Sequence, residues 1–178
     1  MIPADNRTDA SKEIFESSTG ELLLNAKKSF MSIDTKRLQG ICGLAGTKAK
    51  LSALEILEMT RNGNLAAVSI DEAPALDSSN HLMVVYATDA VNSGMVFNDS
   101  SRRIMQKMGS LPVLYETGVF EVAIRNRNAA NLKAFAVDLS GKRQGEIPVT
   151  VKNGRLHLRV DTAKLPGGPA VFFEIAEK

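Results

Sequence analysis

Short stretches with apolar residues at every second position make up most of the chain. In "RLHLRV", Leu156, Leu158 and Val160 share one face of a strand, and Arg155, His157 and Arg159 share the other. Turn-forming residues such as Asn-Gly and Ser-Gly separate these stretches at intervals of about 8 to 14 residues. This pattern predicts an all-β fold, an Ig-like antiparallel β-sandwich of about 8–11 strands.

Several segments need individual interpretation. Residues 51–59 fit either an amphipathic helix or a strand, and we favour a strand because the neighbouring segments are strands. Residues 100–109 suggest one helical turn on a loop, and residues 131–162 predict three strands. The nearly continuous apolar run "HLMVVYAT", residues 81–88, is typical of a central strand covered on both faces.

The first 16 residues are polar and predict a linker or N-terminal arm, and residues 17–178 predict one β-sandwich domain. The net charge of +2 is too small to indicate a nucleic-acid partner. The longest apolar runs are far too short to span a membrane. A single cysteine excludes an intrachain disulfide and a cysteine-based metal cluster.

The sequence contains no recognisable catalytic, cofactor or metal motif. His81 and His157 are far apart in the sequence, and a metal site usually needs three or four ligands. Cys42 lies in the apolar stretch "GICGLAG", which predicts a buried, unreactive thiol and lacks the glycine spacing of a phosphate-binding loop. The carboxylates lie mostly in turns or on polar strand faces. We therefore expect no catalytic residue, no cofactor and no metal.

A polar sequence, Asp-Thr-Lys-Arg at residues 34–37, lies between two strand segments. Asp34 and Thr35 are residue types whose side chains organise turns, and Arg37 can donate to a carboxylate or to backbone carbonyls. Two interpretations remain open for this corner: a structural turn, or a contact with a partner domain or ligand.

Five groups of residues carry a resemblance to a known family. They are "SSTGELLLN" at residues 17–25, the segment 34–39 ending in Gln39, the Ala-Ala-Val-Ser segment at 66–69 with the apolar strand that follows it, the turn Asn-Ser-Gly-Met that begins at Asn92 and contains Gly94, and "GSLPVLYETG" at residues 109–118. In their order they resemble the β-sandwich domain that lies C-terminal to the catalytic TIM barrel in a group of bacterial glycoside hydrolases. The resemblance covers about residues 17 to 175. Lys36 stands where that family usually has proline, and the first turn lacks its usual aspartate.

The resemblance implies a glycosidase C-terminal type of sandwich and a non-catalytic accessory role, packing against the catalytic TIM-barrel domain of a parent enzyme. In that family the catalytic carboxylates lie on the barrel, so no catalytic residue transfers to this chain. Asp34, Thr35, Arg37, Gln39, Asn92 and Gly94 would be structural turn residues or partner contacts. A secreted, periplasmic or cell-surface location is expected for the parent enzyme.

An accessory domain of this kind should expose an apolar surface for its partner. Five methionines are candidates for such an adaptable surface, and this hypothesis fails if all five are buried in the core: Met59, Met83, Met95, Met105 and Met108.

The alternative is an independent carbohydrate-binding module that contacts a polysaccharide. It requires an exposed aromatic ring flanked by polar side chains, and the two candidates are Tyr86 and Tyr115. A stand-alone enzyme would instead require a cleft where two carboxylates converge.

Overall fold

Two antiparallel sheets of unequal size face each other in the computed structural model, which describes residues 3–72 and 74–177. Nine strands form one sheet in the order β1-β2-β3-β4-β7-β8-β18-β14-β15, and five form the other in the order β16-β17-β13-β6-β5. Two two-stranded pairs, β9 with β12 and β10 with β11, stand apart from both sheets. The bounds are β1 Ile14–Glu16, β2 Leu22–Asn25, β3 Phe30–Asp34, β4 Leu38–Gly43, β5 Ala49–Lys50, β6 Leu54–Met59, β7 Gly63–Ser69, β8 His81–Ala87, β9 Ala90–Ser93, β10 Val96–Phe97, β11 Met105–Lys107, β12 Ser110–Tyr115, β13 Val119–Arg125, β14 Leu132–Val137, β15 Arg143–Ile147, β16 Val149–Lys152, β17 Arg155–Asp161 and β18 Phe172–Glu177.

The core fills the space between the two sheets. Phe120 of β13 lies between two aromatic rings of the nine-stranded sheet, with ring centroids 5.1 Å from Tyr86 and 5.0 Å from Phe173. Around it, alternate residues of each strand point inward and are fully buried, including Leu65, Val84 and Leu158. Because both sheets contribute alternate residues to one apolar cluster, the two layers are held as one unit.

The predicted all-β, sandwich-like fold is confirmed, but the predicted number of about 8–11 strands is too low, because the described residues form 18 strands, several of them only two to four residues long. The preferred strand within residues 51–59 is present as Leu54–Met59. The helical turn suggested within residues 100–109 is wrong, because Met105–Lys107 forms a strand that pairs with β10. Short helical turns lie elsewhere, at Ala10–Lys12, Ala26–Lys28 and Ala129–Asn131.

Residues 131–162 form four strands rather than the predicted three. The extra division falls at Pro148, which separates β15 in the nine-stranded sheet from β16 in the five-stranded sheet. Proline has no N–H to donate to a sheet ladder, so the run "GEIPVTV" does not continue as one strand. The chain changes sheets at this residue.

The N-terminal segment is attached to the sandwich. Asp9 caps the helical turn that precedes β1, and the Arg7 side chain donates to Glu16 at 2.7 Å. Residues 14–16 pair antiparallel with β2. The part of the predicted linker or arm at residues 14–16 is therefore the edge strand of the nine-stranded sheet.

Candidate functional site

The polar corner at residues 34–39 borders a cleft of about 270 Å³ at one end of the sandwich. Asp34 ends β3, and its Oδ2 accepts hydrogen bonds from the backbone N–H and the hydroxyl of Ser52, at 3.0 and 2.9 Å. On the other side of the cleft, Arg125 donates to the Ser52 carbonyl at 3.1 Å and lies 3.7 Å from a carboxylate oxygen of Asp77. The corner thus joins turns from both sheets.

Gln39 is the centre of this connection. It lies in β4 of the nine-stranded sheet and is 2% exposed. Its Oε1 accepts from the backbone N–H groups of Ala53 and Leu54, each at 2.8 Å, at the start of β6 in the opposite sheet. Its Nε2 donates to the Thr35 carbonyl at 3.0 Å. Through these three hydrogen bonds, the Gln39 side chain links β4 and the turn at Thr35 to the start of β6 in the opposite sheet.

Thr35 and Arg37 stabilise the same corner. The Thr35 hydroxyl accepts from the Leu38 backbone N–H at 2.9 Å, which closes the turn between β3 and β4. The Arg37 guanidinium donates to the backbone carbonyls of Ser69 and Asp71. These contacts are those of a structural turn.

Asn92 and Gly94 lie in a second structure, the β-ribbon formed by residues 90–115. The Met95 N–H donates to the Asn92 carbonyl at 3.1 Å, and Gly94 has a φ of +71°, which glycine adopts without strain. Near the far end of the ribbon, the side chain of Arg102 forms an ion pair with Asp89 at its root. The ribbon therefore bends at residues 92–95 and folds back on itself.

The two tyrosines have different environments. Tyr86 is 2% exposed, and its hydroxyl accepts from the Arg61 N–H at 3.1 Å, so its ring offers no face to a ligand. Tyr115, at the end of β12, is 39% exposed. It borders a hollow of about 210 Å³ between the two arms of the ribbon.

The five methionines are not all buried, so the result that would exclude the methionine hypothesis is not found. Met59 is in the core, but Met108 is 63% exposed, and Met105 is also exposed on the ribbon. Met83 and Met95 are half-buried. Apolar exposure on the ribbon extends beyond methionine, since Leu111 is 81% exposed.

The outer face of the nine-stranded sheet is also apolar, which sequence reasoning did not identify. Strand pairing places Leu22, Ile33, Gly40 and Ala66 in one row, and the neighbouring rows are similar in character. We call this surface the apolar outer face. It extends across seven strands, and its apolar members are exposed or half-buried: Leu22, Leu24, Met31, Ile33, Leu38, Cys42, Ala66, Val68, Met83, Val85, Phe135 and Phe172. At the end formed by β8, β18, β14 and β15 the same face also carries charged pairs, in which Glu174 lies 2.8 Å from His81 and 2.6 Å from Arg143, and Lys133 lies 2.8 Å from Glu146. The uninterrupted apolar part is therefore on β2, β3, β4, β7 and β8.

The outer face of the five-stranded sheet is charged instead. Arg159 of β17 lies 3.0 Å from Glu58 and 3.8 Å from Glu121 on the adjacent strands. Arg155 and Glu55 lie 3.5 Å apart on the same face. Antiparallel sheets commonly have one face on the core and one in water, and the five-stranded sheet follows this pattern, whereas β2, β3, β4 and β7 of the nine-stranded sheet have an apolar outer face.

Cys42 lies on the apolar outer face and is exposed, so the prediction of a buried thiol is wrong. The reason is strand parity: Ile41 and Gly43 are buried, and the residue between them points outward. His81 faces Glu174 at 2.8 Å, and His157 lies on the charged face of the other sheet. Within residues 3–72 and 74–177, no three His, Cys, Asp or Glu side chains form a potential metal site.

Comparison of the chain with protein-family models, curated proteins and solved structures found no match. In the described part of the chain, no helix has the length and apolar character needed to cross a membrane.

Proposed function

We propose that the chain is a non-catalytic accessory β-sandwich domain of a glycoside hydrolase, which packs against the catalytic TIM barrel through the apolar outer face. The apolar outer face is the observation that carries this proposal. Five neighbouring strands at about 4.8 Å spacing, β2, β3, β4, β7 and β8, give its uninterrupted apolar part a width of about 19 Å. An apolar surface of this size is typical of an interaction site.

The burial pattern of strand β8 also supports a partner on the apolar outer face. Its sequence indicated a strand buried on both faces, yet only Leu82, Val84 and Tyr86 are covered by the chain's own core. Met83 and Val85, which alternate with them, lie on the apolar outer face and are half-buried. A docked partner would cover these two residues and complete the burial that the sequence indicates.

The position of the N-terminal arm agrees with a partner on the apolar outer face. Its strand β1 is the edge of the nine-stranded sheet, beside β2, which contributes Leu22 and Leu24 to the apolar outer face. A catalytic domain joined through this arm would lie beside that edge, within reach of the apolar outer face. The choice of a TIM barrel as the partner is based on the family resemblance of the sequence.

The test is complex formation with catalytic TIM barrels of bacterial glycoside hydrolases from which the C-terminal sandwich has been deleted. Sedimentation velocity should show a one-to-one complex with at least one barrel of the panel. Met31→Glu, which places a charge on β3 within the uninterrupted apolar part of the face, should abolish the complex. The matched control is Leu139→Glu, a charge introduced at an exposed leucine in the β14–β15 turn, and it should leave binding unchanged.

Cys42 provides a second readout because it is exposed on the same face. Its reaction with a thiol reagent should slow when the barrel is bound. Failure of every barrel to bind, or an unchanged complex with Met31→Glu, would overturn the proposal. A dimer of the chain alone that Met31→Glu dissociates would also contradict it, because a second copy would then occupy the face.

A further inference from the structure

The fold-back of the β-ribbon creates a hollow that is separate from the apolar outer face. Asp89, Val91, Arg102, Leu114, Tyr115 and Glu116 line its volume of about 210 Å³. We propose that this hollow binds one pyranose ring of an oligosaccharide or polysaccharide, with the ring stacked on Tyr115.

The chemistry of the lining matches a sugar. A pyranose has apolar C–H faces and hydroxyl groups that both donate and accept hydrogen bonds. Tyr115 offers an exposed aromatic surface, the carboxylates of Asp89 and Glu116 accept, and the guanidinium of Arg102 donates. Arg61 adds a second guanidinium, 3.5 Å from Glu116.

The charge balance favours a neutral ligand. Two carboxylates, Asp89 and Glu116, are matched by two guanidiniums, Arg61 and Arg102, in two ion pairs. An anion such as a phosphate would meet both carboxylates, and a cation would meet both guanidiniums. The volume is also below the roughly 300–1,000 Å³ of pockets that hold drug-sized ligands, which suits a single ring.

The site is positioned before any ligand arrives. The Glu116 N–H donates to the Asp89 carbonyl at 2.8 Å, which fixes the two strands at the root of the ribbon. Arg102 is held by Asp89 and by the Phe97 ring, whose centroid lies 5.6 Å from the guanidinium carbon. Asp89 and Arg102 nevertheless keep 42% and 50% of their side-chain surface exposed, so a ligand can reach both. Such preorganisation lowers the entropic cost of binding.

The experiment is calorimetric titration of the full chain with cellotetraose, xylotetraose, mannotetraose, galactotetraose and maltotetraose. One stacked ring predicts a Kd on the order of 1 mM for the preferred sugar. Tyr115→Ala should raise that Kd about tenfold, whereas Tyr115→Phe should retain binding. Leu111→Ala, on the same strand but outside the hollow, should bind like the unaltered chain.

Amide NMR of the unaltered chain places the ligand independently of any variant. The preferred tetrasaccharide should shift the signals of residues 88–91 and 114–116. Because these shifts are measured in the unaltered chain, they locate the ligand whether or not the Tyr115→Ala substitution perturbs the ribbon. No binding by any of the five sugars at about 10 mM, shifts confined to another region, or normal binding by a folded Tyr115→Ala would each overturn the proposal. None of these results depends on the barrel, so the sugar site and the docking role fail separately.

Discussion

Replacement of Gln39 by methionine should destabilise the sandwich strongly, although the two side chains are similar in length. The buried N–H groups of Ala53 and Leu54 would both lose their 2.8 Å acceptor. An unsatisfied buried donor costs about 1–3 kcal/mol, so the two together predict a loss of about 2–6 kcal/mol in the free energy of unfolding. That is a large part of the about 5–15 kcal/mol typical of a domain.

The measurement is urea unfolding followed by far-UV circular dichroism, because the chain contains no tryptophan. With a slope of about 2 kcal/mol per molar urea, the midpoint should fall by about 1–3 M. Gln106→Met is the matched control, since Gln106 is exposed on β11, and it should change stability by less than about 0.5 kcal/mol. If Gln39→Met unfolds at the same urea concentration as this control, the hydrogen bonds to Gln39 do not hold the two sheets together.

Two further predictions use the same unfolding assay. Gly40→Ala should lower the free energy of unfolding by about 1–3 kcal/mol, because a Cβ added there would lie 2.4 Å from the Cβ of Ala66. Gly145→Ala is the control and should be tolerated, because the nearest atom to an added Cβ there is 3.6 Å away. Equal losses in the two variants would refute the packing argument. Hydrogen bonds from the Ser79 hydroxyl and nearby N–H groups hold the pKa of Asp71 below its usual value. The ionised Asp71 carboxylate therefore stabilises the folded state above about pH 4, and this contribution is lost as the pH falls further. Asp71→Asn should therefore lower the urea midpoint at pH 7 and weaken its decline between about pH 4 and pH 2; an unchanged acid profile would contradict this.

Strand positions could be predicted where alternation is regular. Leu156, Leu158 and Val160 were assigned to one face, and the structure buries all three. Pro148 marked a boundary that the sequence analysis did not use, although the missing N–H of proline was a usable signal. The exposure of Cys42 was missed because an apolar neighbourhood was interpreted as burial, whereas its orientation depends on strand parity.

The candidate sites were less predictable because they depend on which strands become neighbours. Gln39 and the Ala53 N–H are 14 residues apart, and no local pattern indicates that one accepts from the other across the two sheets. The apolar outer face combines seven strands drawn from residues 22 to 177. Its one local signal was the unbroken apolar run of β8, which predicted burial of both faces of that strand, whereas the chain itself buries only the face with Leu82, Val84 and Tyr86.

The outer face of one sheet is mainly apolar and that of the other is charged, and this difference gives the domain a fixed polarity. If the apolar outer face is against a partner, the Arg159 side of the molecule must point away from that partner, because the two faces are on opposite sides of one core. Any binding group carried at the end of the sandwich then keeps a constant orientation relative to the partner's surface. The ion pairs of the five-stranded sheet would become part of the solvent-facing exterior of the whole assembly.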